Sequence, residues 1–176
     1  WPASVDTVIV ADPVLGCLAS PSDNLEIVAG GINAKVYAWR IDGTMLWASP
    51  ARGPGRIETS PALANIDRDD YLEIIVSGRR YTNETPPFPP MFHWVGALGA
   101  IENTGKTVAG WPNGTGWWAS DVGAAPSSII IGSHHEAIAG SPSHFLYSFN
   151  NTGDPVYGFP VGLGADVLGS AARWAA

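Results

Sequence analysis

The strongest constraint on this chain is that it repeats itself, a property that sets the architecture before any single residue does. Leu25-Glu26-Ile27-Val28-Ala29-Gly30, Leu72-Glu73-Ile74-Ile75-Val76-Ser77-Gly78 and, more loosely, His135-Glu136-Ala137-Ile138-Ala139-Gly140 share one pattern. A second pattern follows each: Val36-Tyr37-Ala38-Trp39-Arg40-Ile41-Asp42-Gly43, Leu98-Gly99-Ala100-Ile101-Glu102-Asn103-Thr104-Gly105 and Leu146-Tyr147-Ser148-Phe149-Asn150-Asn151-Thr152-Gly153. A third mark closes each unit at Trp47-Ala48-Ser49-Pro50, Ala109-Gly110-Trp111-Pro112 and Tyr157-Gly158-Phe159-Pro160. The distance from Glu to the pattern-closing Gly is 17 residues in the first and third units and 32 in the second. One insertion, with Thr82-Asn83-Glu84-Thr85-Pro86-Pro87-Phe88-Pro89-Pro90 at its core, accounts for the difference.

The units therefore run over 3–50, 51–112 (insertion near 81–94) and 113–160, with 161–176 opening a fourth. Trp1-Pro2 matches the unit endings and reads as the remnant of a preceding unit, so the chain is expected to be trimmed or excerpted. Each unit divides into four short strands. In the second these are expected at Ser60–Asn65, Glu73–Ser77, Val95–Ile101 and Thr107–Trp111. Hairpin turns at Ile41-Asp42-Gly43-Thr44 and Asn103-Thr104-Gly105-Lys106 join the last two strands, with Gly supplying the positive φ. With 21 Gly and 15 Pro in 176 residues, a helical bundle is disfavoured, because both residues are costly inside helices. Four-stranded units at roughly 45–50-residue spacing mark the blades of a β-propeller. The expected fold is all-β, about three and a third propeller blades of antiparallel strands, its eight Trp packing between blades. A β-sandwich is the alternative, but it leaves the fixed order of the marks unexplained.

The second unit carries the recognisable chemistry, in Asn65-Ile66-Asp67-Arg68-Asp69-Asp70-Tyr71-Leu72-Glu73. Oxygen-bearing side chains stand at positions 1, 3, 5 and 9 of this stretch. Four carboxylates lie within seven residues, with Arg68 the one cation among them. Calcium takes six to eight hard oxygen ligands, which a tight loop can gather from alternate residues. Asn65, Asp67, Asp69 and Glu73 would supply side-chain oxygens and Tyr71 a backbone carbonyl. The other reading is a solvated acidic turn between strands.

Residues Ser60 to Val76 resemble the FG-GAP/VCBS repeat, the blade unit of integrin-α-type propellers and of many secreted bacterial proteins. That resemblance covers nearly the whole chain and is strong in residues 57–78 and 25–50; the Trp-Pro endings also look like this family. It implies a calcium loop of the form D-x-D-x-D-G-x-x-D/E between the first two strands of a blade. Here Asn65 replaces the first aspartate and Asp70 the usual glycine, implying weaker binding; Asp tolerates left-handed backbone better than most residues. In the other units an ungapped alignment puts Leu18, Ser20 and Ser22, or Ser128, Ile130 and Gly132, at the ligand positions. One structural calcium site is therefore expected, with Glu26 and Glu136 serving as strand-start residues that bond loop backbone.

His134-His135-Glu136 is a poor zinc site, since neighbouring strand residues point to opposite faces, and His93 and His144 have no helpful spacing. Nucleophile-elbow, H-E-x-x-H and phosphate-loop patterns are lacking. A net charge of −7 disfavours nucleic acid, and no apolar run reaches the roughly 18–20 residues of a membrane-spanning helix. Sequons at Asn83, Asn113 and Asn150 point to an exported glycoprotein. The proline run of the insertion reads as a polyproline II excursion available to a partner. The expected function is a secreted, non-enzymatic calcium-binding module for adhesion, recognition or extracellular assembly. Its ligand would be a protein or glycan, and unpaired blade faces could build a homo-oligomer or filament. The alternative is a carbohydrate-active propeller, a lectin or part of a polysaccharide lyase, with Trp117 and Trp118 stacking on sugar rings.

Overall fold

The computed structural model describes residues 2–18, 25–52, 55–82, 93–111, 130–131, 135–140 and 144–165. Among them every regular element is a β-strand, and none is a helix that could cross a membrane. The first sheet holds β1 (Val14–Gly16), β2 (Glu26–Gly30), β3 (Lys35–Arg40) and β4 (Met45–Pro50) in that order. In the second, β5 (Arg56–Ile57) and β6 (Ala62–Ala64) share one edge of β7 (Glu73–Thr82), and β8 (His93–Ile101) pairs with its other edge. The third sheet contains β9 (Ile130–Ile131), β10 (Ala137–Gly140), β11 (Phe145–Phe149) and β12 (Val161–Gly162), again in sequential order. All pairings are antiparallel.

One register runs through the three sheets. The residue after the strand-start glutamate is Ile27, Ile74 or Ala137. Ile27 lies between Leu15 and Trp39, Ile74 between Leu63 and Ile101, and Ala137 between Ile131 and Phe149. Side chains alternate across a strand, so this shared register sends equivalent residues to equivalent faces. Val28, Val36 and Ala38 of the first sheet pack against Ile74, Val76 and Ile101 of the second. Ile75, Leu98 and Ala100 on the second sheet's other face meet Ala137, Ala139 and Phe149 of the third. The apolar run Ile74-Ile75-Val76 in β7 follows from this arrangement, since both faces of that stretch are covered.

The hairpins repeat with equal fidelity. Arg40, Glu102 and Asn150 each donate their N–H to the carbonyl four residues on, and accept from the N–H of Gly43, Gly105 and Gly153. These glycines have φ of 90°, 83° and 79°, the left-handed conformation that closes a three-residue hairpin loop. The second and third hairpins each receive the preceding unit. Trp47 Nε1 donates to Asn103 O at 2.8 Å, and Trp111 Nε1 donates to Asn151 O at 2.9 Å. Ser49 Oγ also donates to Gly105 O. The indoles thus bury apolar area between sheets and fasten one unit to the next.

Several strands depart from expectation for identifiable reasons. The stretch expected as a strand at Thr107–Trp111 is reduced to one bridge, Ile101 to Thr107, before Trp111 N–H turns back to Val108 O. That turn, with Gly110 at φ 88°, swings the Trp111 indole onto the third unit. The first strand shortens from Ser60–Asn65 to Ala62–Ala64, consistent with Pro61 lacking an N–H for the ladder. The second and third lengthen because pairing continues to Thr82 opposite His93, carrying the insertion on an extended hairpin. In the third unit, Val161–Gly162 pairs with Phe145–Leu146, inside the stretch expected to open a fourth unit.

Gly110 and Gly158 occupy the same turn in successive units, since Phe159 N–H bonds Val156 O as Trp111 N–H bonds Val108 O. A Cβ on Gly110 would lie 2.7 Å from Thr152 O, whereas one on Gly158 would meet nothing within 4 Å. Gly158→Ala should therefore cost only the left-handed backbone penalty, roughly 1–2 kcal/mol. Gly110→Ala should exceed it by on the order of 1 kcal/mol or more, because Thr152 must retreat. Urea unfolding of the two variants measures the difference; equal losses would show that the joint is not tight.

Candidate metal centre

The loop between β6 and β7 is organised by a buried carboxylate. Glu73 is 0% exposed, and its Oε2 accepts the Ile66 N–H at 2.6 Å. Glu26 does the same in the first unit, accepting the Leu18 N–H at 2.8 Å, as expected of a strand-start glutamate. Ile66 and Leu18, each 1% exposed, are therefore equivalent positions. The ungapped alignment, which set Leu18 against Asn65, is wrong by one residue. For Glu136 the corresponding loop lies outside the described residues.

Side chains then shape the loop around its own backbone. Asn65 Oδ1 accepts the Arg68 N–H at 2.6 Å, and its Nδ2 donates to Asp69 O. Asp67 Oδ1 accepts the Asp69 N–H at 3.1 Å, and Asp69 Oδ1 accepts the Tyr71 N–H at 2.6 Å. Such local side-chain bonds favour tight turns over a strand ladder. Arg68, at φ 70°, is the left-handed residue of the loop; Asp70, expected there in the place of glycine, is not. The cause is visible in the bonding, since the turn closed by Asn65 ends on Arg68.

These turns gather Asp67, Asp69, Glu73 and Glu102, each offering a carboxylate oxygen within 4.8 Å of the others. Asp67 and Asp69 are exposed, Glu102 is half-buried, and Glu73 is enclosed. The expected set was Asn65, Asp67, Asp69, Tyr71 and Glu73. The structure brings three of these together, while both polar ends of the Asn65 amide are engaged within the loop. Tyr71 takes part through its N–H. Glu102 was missed by sequence reasoning, although the repeat alignment already placed it level with Arg40 and Asn150.

The electrostatics are those of a crowded anion. Burial pushes the Glu73 carboxyl up to about 7, with repulsion from Asp67 and Asp69 adding to the rise. Hydrogen bonds from the Ile66 and Asp67 N–H groups act against it. Burial also raises Glu102, again with Asp67 and Asp69 contributing. Glu73 Oε1 is buried without a hydrogen-bond partner. A buried carboxylate oxygen left this way carries a desolvation cost that a bound cation would offset. The all-oxygen donor set suits a hard divalent ion.

The loop is also tied to the third unit, where His135 Nδ1 lies 2.5 Å from Asn65 O. A carbonyl only accepts, so Nδ1 carries the proton in this bond. Of the other candidates, Asn83, Asn113, Trp117, Trp118 and His134 lie outside the described residues. Asn150 is described, and its Oδ1 closes a hairpin by accepting from Thr152 N–H, Thr152 Oγ1 and Asp154 N–H.

No family model and no curated protein matches this chain. Among solved structures, the crystal structure of the computationally designed Ika4 protein is similar, with a TM-score of 0.58. The match covers 97% of this chain and 82% of that one at 11% identity, a likeness of fold alone.

The Glu73 shift has a measurable consequence in chelator. Its folded pKa lies above the ordinary 4.5, so the folded state keeps a proton that the unfolded chain has released. The associated stability is full below about pH 4.5 and is lost as pH rises to about 7. The loss should be on the order of 3 kcal/mol, visible as a falling Tm across that window. Glu73→Gln should flatten the fall; an unchanged slope would place its origin elsewhere.

Proposed function

We propose that this chain is a calcium-binding β-propeller module that serves extracellular adhesion, recognition or assembly without catalysis. The observation that carries the metal reading is the orphaned, buried Glu73 Oε1 among three further carboxylates. Asp67, Asp69 and Glu73 would hold the ion, clamping the loop that leads into the central strand of the second sheet. Calcium fits the donors because it accepts irregular carboxylate cages, where magnesium demands near-octahedral geometry. Millimolar extracellular calcium would fill even a weak site of this kind.

The propeller reading is supported by the shared register of three face-packed sheets and by the joint that repeats between them. Ile138 and Leu146 are half-buried, although their equivalents Val28, Val36 and Ile75 are 0% exposed. A face of this composition is suited to receiving another unit of the same kind, within a longer ring or from a second copy. The extracellular assignment rests on the family resemblance and the sequons, and the ligand would be a protein or glycan.

Thermal unfolding with calcium and with chelator, in wild type and Asp67→Ala, tests the metal. At tenfold excess over Kd, calcium should stabilise wild type by about 1.4 kcal/mol, or roughly 3–6 °C in Tm. Asp67→Ala should lose that response. Identical melting in all four samples would remove calcium from the account.

A further inference from the structure

We infer that Glu102 is a fourth protein ligand of the cation, supplied across the sheet from the hairpin after β8, and that this position determines which unit takes an ion. The inference rests on the calcium reading above and extends it to a residue outside the acidic loop.

Register is the starting point. Glu26 lies directly opposite Arg40 in the first sheet. In the second, Ile74 lies opposite Ile101, so one further step sets Glu73 opposite Glu102. In the third, Ala137 opposite Phe149 sets Glu136 opposite Asn150. The same place thus holds a cation, an anion and a neutral amide in successive units. Like charges directly opposite on adjacent strands are destabilising, and opposite charges are favourable. Only the unit with the acidic loop has the unfavourable pair, and its carboxylate oxygens converge within 4.8 Å. Glu73, 0% exposed with Oε1 unpartnered, stands inside that convergence. Arginine in place of the fourth carboxylate would exchange the like-charge pair for an opposite-charge one, since the first unit carries Arg40 at the same register position.

The position also gives the ion a reach beyond its loop. Glu102 opens the hairpin whose Asn103 and Gly105 carbonyls accept Trp47 and Ser49 of the first unit. The Asn65 carbonyl at the head of the loop is held by His135 of the third unit. An ion joining this loop to this hairpin therefore lies between the fastenings of both neighbouring units.

Calorimetric titration of calcium into the full chain separates the alternatives. Glu102→Gln should weaken binding at least about tenfold while leaving a folded protein. Glu102→Arg should abolish binding yet, in chelator, melt at or above the temperature of wild type. Calcium should also slow amide exchange across Met45–Pro50 in wild type, with the effect lost in Glu102→Arg. Unchanged affinity in Glu102→Gln, beside lost binding in Asp67→Ala, would overturn the role of Glu102 and leave the calcium site standing. Wild type that takes no calcium would overturn both.

Discussion

A buried carboxylate at the start of the second strand is the constraint on which the first two units depend. Glu26 and Glu73 are both enclosed, and each satisfies one oxygen with a loop N–H that would otherwise be orphaned too. The bond fixes where the chain re-enters the sheet, and hence the register of everything downstream. It also explains why such a residue is tolerated among isoleucines and valines, since burying a charge without a partner is prohibitive. In the second unit this device is overloaded. Three more carboxylates crowd the same place, and one oxygen of Glu73 has nothing to accept.

The joints between units obey a different logic. Apolar faces supply most of the driving force, but they are non-directional and could slide. Trp47 and Trp111 add direction, because an indole has one N–H and each finds the same carbonyl in the next hairpin. They arrive by different routes, one from a full strand and the other from a turn after a single bridge. What the repeat preserves is the contact, with the local backbone adapting to deliver it. Gly105 lies close enough to Trp47 that a Cβ would approach the ring to 3.0 Å, so that hairpin needs glycine for space as well as for φ.

Much of this was legible in the residues. The Glu-to-Gly spacing located the second and third strands, and the D-G and T-G turns located the first two hairpins, because both signals act over a few neighbouring residues. The acidic loop was legible for the same reason. Reading failed where a residue's role is set from a distance. Thr107–Trp111 looked like a strand, but the Trp111 indole is claimed by the following unit. Asp70 looked like the left-handed residue, but the Asn65 side chain places that strain on Arg68. Glu102 was not singled out, although the aligned Arg40 and Asn150 already marked its position as variable in charge.

The sequence by itself determined the all-β character, the repeat and the turns, since glycine placement, alternation and spacing are properties of a chain's immediate neighbourhood. Tertiary structure alone decided which carboxylates share a space and which oxygen of Glu73 is left unpaired. Residues 73 and 102 are far apart along the chain and are brought opposite each other by strand pairing. Electrostatic energy depends on distance and on exclusion of water, and neither exists until the sheets have packed.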